Sequence, residues 1–181
     1  MCVVQGERMA RFLTILTGTP GTGKSTVARQ LQANCNLPVL EINKVVKEKE
    51  LFLGYDHRRD TLIINEQAVN TYLAKYLKDC EVACIVGHYV EFSALRAARL
   101  VFVLRCEPAI LRKRLQNRGY TSAKINENVD VEIMQVCLEE ARAFFREATI
   151  LEFDTTKKES WEVAGDICAQ ITSRLSTNWG T

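Results

Sequence analysis

No apolar run in this 181-residue sequence approaches the length needed to cross a membrane. Residues 1–11 carry Glu7, Arg8 and Arg11 and lack the apolar centre of a secretion signal. A cytoplasmic protein is therefore expected, or a nuclear one in an organism with a nucleus, and Met9 offers an alternative start. Prolines number only 3, with no repeat and no low-complexity tract, which argues against linker-joined modules and for one domain over residues 1–181. Neither sign of charge dominates: 24 Lys and Arg face 22 Asp and Glu, so bulk charge decides nothing about nucleic acid as a partner. The 7 cysteines are an odd number scattered through apolar surroundings, and read as free thiols of an intracellular chain. Cys80, Cys84 and His88 recur every four residues, but Cys84 sits in a strand-like run, which argues against a metal site. The Asn-Lys-x-Asp signature of guanine binding is also missing, which disfavours a GTPase.

What is present is Gly18-Thr19-Pro20-Gly21-Thr22-Gly23-Lys24-Ser25, followed by Thr26. Glycine, four residues, then Gly-Lys-Ser is the phosphate-binding P-loop spacing. The glycines let backbone N–H groups turn inward around phosphate oxygens, where side chains would obstruct them. Lys24 supplies a mobile charge for the outer phosphates, and Ser25 a hydroxyl for a phosphate-bound magnesium ion. Residues 11–17 form an apolar, β-branched run suited to a buried parallel strand, and Val27, Ala28 and Leu31 mark one face of a following helix. Strand, loop and helix together imply binding of a nucleoside triphosphate.

Further strands are expected over residues 37–42, 82–86, 100–104 and 150–153. Helices are expected over 43–50, 66–77 and 108–118, as one long helix ending near 145, and over 160–175 with Ser160 as its cap. In the long helix Val129, Ile133, Val136 and Leu138 are the expected apolar side. Residues 51–60 read as a polar loop. Alternating strands and helices predict an α/β fold, a parallel sheet covered on both faces. Ligands of such sheets sit beyond the carboxyl ends of the strands. That edge should gather the P-loop, Gly87 and His88, Arg105, and Asp154, Thr155 and Thr156. Arg112, Arg114 and Arg118 lie on one helix, with Arg114 and Arg118 a turn apart. Arginines held beside a P-loop suit the charge that builds up in phosphoryl transfer between nucleotides.

These strings, with Leu53-Gly54-Tyr55-Asp56, Val103-Leu104-Arg105-Cys106, Arg114-Leu115-Gln116-Asn117-Arg118-Gly119-Tyr120, Lys124-Ile125-Asn126-Glu127-Asn128 and Glu132-Ile133-Met134, form one pattern. Over roughly residues 12–156 the chain resembles the adenylate kinase isoenzyme 6 family, also called CINAP, and more closely its archaeal members. The resemblance implies a P-loop NTPase of the nucleoside monophosphate kinase type with a five-stranded parallel sheet, an acceptor-binding insert near 43–66 and a short lid near 117–127. It implies magnesium-dependent conversion of ATP and AMP to two ADP, with ATP hydrolysis beside it. It also implies a role in maturation of the small ribosomal subunit, with a platform ribosomal protein and pre-ribosomal RNA as partners. The alternative is an ATP-switched assembly factor that retains only residual kinase activity. By position, Gly18, Gly21, Thr22, Gly23, Lys24, Ser25 and Thr26 would bind ATP phosphates, with Ser25 on the metal. Arg118 would contact ATP, Lys157 would lie near the adenine, and Lys24, His88, Arg114 and Arg118 would carry the catalysis.

Two departures stand out. The family places an acid two residues before its strand-end histidine, to orient magnesium, and here that residue is Val86. Relatives often have acids where His57, Arg58 and Arg59 stand; the two arginines suit an acceptor phosphate, RNA or plain solvation.

Overall fold

The strand Phe12–Gly18 (β1) is buried at all seven positions, so it needs covered faces on both sides and a partner along each edge. In the computed structural model, which describes residues 12–57, 59 and 61–178, it has them. The expectations about residues 1–11, Arg58 and Asp60 lie outside the described residues.

In chain order the elements begin with β1, Lys24–Cys35 (α1), Val39–Glu41 (β2), Ile42–Glu48 (α2), the hairpin strands Phe52–Asp56 (β3) and Thr61–Ile64 (β4), and Glu66–Lys78 (α3). Val82–Val86 (β5), Leu100–Arg105 (β6), Pro108–Asn117 (α4), Ser122–Ile133 (α5), Val136–Phe144 (α6), Thr149–Asp154 (β7) and Ser160–Asn178 (α7) follow. Five strands form a parallel sheet in the order β2-β5-β1-β6-β7. Leu13 and Ile15 of β1 face one apolar layer with Val69, Leu73 and Leu77 of α3 and Leu138 and Ala141 of α6. Phe12 and Leu16 face the other, with Val27, Ala28 and Leu31 of α1 and Val163, Ile167 and Ile171 of α7. Each large side chain so buried contributes about 1.5–3 kcal/mol. The fold is the α/β sheet with two covered faces that the sequence predicts.

Several local expectations need correction. Cys35 and Cys168 are a disulfide rather than free thiols: α1 and α7 lie side by side on one sheet face, bringing Cα atoms 133 positions apart in sequence to 6.3 Å. Cys80, Cys84, Cys106 and Cys137 are free. The polar loop 51–60 is largely the antiparallel hairpin β3–β4, where Leu62 and Ile64 pack onto the core and Gly54 adjoins a shift in register. The charged centre of that segment masks two short β-prone flanks. The long helix is two, because Gln135 takes a left-handed conformation (φ 57°) between α5 and α6. Ile133 is 59% exposed, while Asn128 and Glu132 are buried, so α5 presents a partly polar face inward. Ile42 begins α2 instead of ending β2. Ser160 is the first residue of α7, not its cap; just ahead of it the Glu159 N–H donates to the Glu162 carboxylate at 2.8 Å.

Candidate active site

Gly18 ends β1 with φ 137°, and a Cβ there would run into the Leu104 carbonyl of β6. Gly21 lies so close to α4 that a Cβ would meet Leu111 at 2.7 Å and Leu115 at 2.9 Å. The loop is thus pressed between sheet and α4. Thr22, fully buried, donates to the Thr19 carbonyl at 2.9 Å, and its own carbonyl accepts from the Thr155 hydroxyl at 2.8 Å. At Lys24 α1 begins without a side-chain cap, leaving its first turn open towards an anion.

The ammonium of Lys24 folds back on its own loop, donating to the Gly18 and Thr19 carbonyls at 2.5 and 3.0 Å. Burial there, helped by the nearby charge of Arg118, lowers its pKa to about 8. Thr26 is exposed, and so is Ser25, whose hydroxyl donates to the Glu41 carboxylate at 2.6 Å. A hydroxyl and a carboxylate in contact are hard oxygen donors of the kind magnesium takes, so the residues present fit that ion. His88, beyond β5, accepts through its carbonyl from the Thr17 hydroxyl at 3.3 Å, and its Nδ1 lies 3.7 Å from the Cys137 sulfur. Burial, with Lys24 close by, lowers the imidazole pKa to about 4, so it is neutral at pH 7.

Across from the loop, Arg114 donates to the Thr155 hydroxyl at 3.1 Å and to its carbonyl at 2.6 Å, which ties α4 to the segment after β7. Arg114, Arg118 and Lys157 line a cavity of about 290 Å³ together with Gly21, Thr22, Gly23 and Thr26. Gly18, Lys24, Ser25 and His88 do not line it; they gather beneath and beside the same loop. The expected edge is assembled: the Thr155 N–H donates to the Arg105 carbonyl at 2.8 Å while its hydroxyl reaches Thr22. A second cleft, of about 390 Å³, opens between Asn43 and Lys47 of α2, the hairpin with Tyr55 and Thr61, Tyr120 of the α4–α5 joint and Lys124 in the first turn of α5. Arg59 is exposed on the hairpin turn, where its N–H donates to Asp56 at 3.1 Å.

The role least expected from sequence belongs to Glu132, only 3% exposed. Its carboxylate accepts from the Thr19 hydroxyl at 2.5 Å, the Arg105 guanidinium at 2.8 Å and the Cys106 N–H at 3.0 Å. It therefore ties α5 to both the P-loop and β6. Beyond its place in the Glu132-Ile133-Met134 string, the sequence signal for this role is an acid at an inward helical phase, which the neighbouring Ile133 disguises. Glu41 ends β2 and Thr155 follows β7, both at the ligand edge, and that position is their signal.

A family model described as an AAA domain matches residues 15–135. The adenylate kinase isoenzyme 6 homolog of Schizosaccharomyces pombe is 40% identical over 167 residues, covering 91% of this chain and 91% of its own. A protein provisionally named adenylate kinase from Methanosarcina acetivorans is 33% identical over 167 residues, covering 89% of this chain and 87% of its own. Among solved structures, a shikimate kinase from Bacteroides thetaiotaomicron superposes with a TM-score of 0.60 at 18% identity, covering 90% of this chain and 98% of that one; this likeness concerns the fold alone. With a P-loop, a kinase-type sheet and sequence matches along nearly its whole length, the chain belongs to the adenylate kinase isoenzyme 6 family.

Proposed function

We propose that the protein transfers the γ-phosphoryl group of ATP to AMP, giving two ADP. The observation that carries this reading is the pair of clefts at the ligand edge. One is bounded by the P-loop, Arg114, Arg118 and Lys157; the other, at the hairpin, offers Lys47, Lys124 and two tyrosines to a second nucleotide. In the first, the loop amides of Gly18, Gly21, Thr22 and Gly23 and the first turn of α1 with Thr26 hold the ATP phosphates, and Lys157 flanks the base. Lys24 exchanges its loop carbonyls for phosphate oxygens. Arg118 and the anchored Arg114 meet the charge that spreads over the transferring group as the acceptor oxygen bonds to the γ-phosphorus and the bridging oxygen leaves with ADP. Magnesium, when bound with ATP, offsets phosphate charge, and the Ser25 hydroxyl would hold it. Neutral His88 is suited to accepting a hydrogen bond from an ordered water. The α4–α5 joint around residues 117–127 serves as the lid and the segment 43–66 as the acceptor wall; closure of the two excludes water and favours transfer over hydrolysis.

The test is to incubate the protein with ATP and magnesium, with and without AMP, and to quantify ADP and phosphate, with Lys24→Ala as control. ADP formed in proportion to AMP, with little free phosphate, is expected. AMP-independent phosphate release would overturn the phosphotransferase reading. It would favour the second one, an ATP-switched assembly factor for the small ribosomal subunit. The exposed apolar side chains of the hairpin, with Leu53 72% exposed beside Phe52, Tyr55 and Ile63, favour that second reading as a surface for a protein partner.

A further inference from the structure

We propose that Glu41 is the acid of the magnesium site, carrying from β2 the carboxylate that Val86 does not supply from β5. The inference rests on the ATP-dependent reading above.

Val86 is 3% exposed and belongs to the apolar layer that includes Leu16, Val27 and Ala28, so this position offers the metal no oxygen. Its partner in register on the neighbouring parallel strand is Glu41. Registered residues of adjacent parallel strands point to the same face, roughly 4.8 Å apart. Glu41 therefore emerges on the face that α1 covers, one strand to the side, and a glutamate reaches one methylene further than an aspartate. The contact that results is the one the site requires. Glu41 accepts from the Ser25 hydroxyl at 2.6 Å, the P-loop hydroxyl aimed at a phosphate-bound metal.

Two other carboxylates at this edge, Glu132 and Asp154, are differently engaged. Glu132 is held by Thr19, Arg105 and Cys106 on the far side of the loop, and Asp154 by the backbone and hydroxyl of Thr156. The side chain of Glu41 is 15% exposed, and its second oxygen meets Lys44, whose side chain is 65% exposed and lies at the rim. Magnesium commonly takes one or two protein oxygens and completes its shell with phosphate and water. Ser25 and Glu41 make such a pair, directly or through a metal-bound water.

The experiment measures ATP affinity by displacement of a fluorescent ATP analogue, in EDTA and in saturating magnesium. A second readout is Mn²⁺ affinity of the protein–ATP complex, followed by loss of the free-ion EPR signal. In wild type, magnesium should tighten ATP binding. Glu41→Gln keeps the shape and an oxygen for Ser25, so it should fold with an unchanged melting temperature. It should lose about tenfold of the metal-dependent gain and of the Mn²⁺ affinity, while binding ATP in EDTA as wild type does. Glu41→Asp, charged but shorter, should fall between. A wild-type gain that persists in Glu41→Gln would overturn this assignment alone. No gain in wild type would overturn it together with the metal-dependent phosphotransferase reading.

Discussion

Lys24 is the residue whose chemistry has the clearest consequence. Its folded-state pKa of about 8 lies below the ordinary 10.5, so the folded protein holds that proton less tightly than the unfolded chain does. The sign follows: the lysine costs stability below pH 8, and the cost fades as the pH rises from 8 towards 10.5. Lys24→Met should thus be more stable than wild type at pH 7, by about 1–3 kcal/mol, with the gap closing above pH 8 in urea titrations at several pH values. Phosphate favours the charged ammonium, so ATP binding at pH 8.5 should draw a proton from solution. Calorimetry in buffers of different ionisation enthalpy would reveal the uptake, and its persistence in Lys24→Met would contradict the assignment. His88 is shifted in the same direction, but far enough that it does not titrate in the neutral range. With a pKa of about 4 it should show no NMR titration between pH 5.5 and 8, and activity over that range should carry no limb due to its ionisation.

Among the elements, the contact between α1 and α7 is closed by the Cys35–Cys168 bond. Reduction, or Cys35→Ser, should destabilise the fold by up to about 4 kcal/mol, because the bond closes a very long loop; dithiothreitol should then leave the melting temperature of the serine variant unchanged. At the α5–α6 break, Gln135 pays for its left-handed backbone, and Gln135→Gly should raise stability by about 0.5–1 kcal/mol in the same denaturation assay. The elements also show how far local pattern reaches. The span of β5, the strand–loop–helix of the P-loop and the place of Pro108 at the head of α4 were all legible, because each depends on residues adjacent in the chain. The disulfide was not, since only the packing of two distant helices creates it. The part Glu132 plays was hidden for a related reason: a buried carboxylate in α5 is tolerable only where Thr19, Arg105 and Cys106 converge, and they come from two other parts of the chain. Glu41 was legible only as part of the expected strand over residues 37–42, because its bearing on Ser25 depends on the register between β2 and β5.

On the scale of the whole molecule, the first cavity joins the beginning of the described chain to its end: Gly21, Arg114 and Lys157 line the same space. A ligand there stabilises everything at once. ATP at 100 times its dissociation constant should add about 2.7 kcal/mol and raise the melting temperature by roughly 5–10 °C in one cooperative transition, with most of the shift absent in Lys24→Ala. The order of strands has a different consequence, one that concerns synthesis. Phe12 pairs with Val82, and Thr14 with Leu100, so the central strand must wait for its neighbours while some 70 to 90 residues are added. At about 5–20 residues per second, that leaves a largely apolar segment, buried throughout in the fold, without its partners for several seconds after translation of it is complete. The strand that later anchors the phosphate loop is, on the ribosome, the segment most in need of a chaperone.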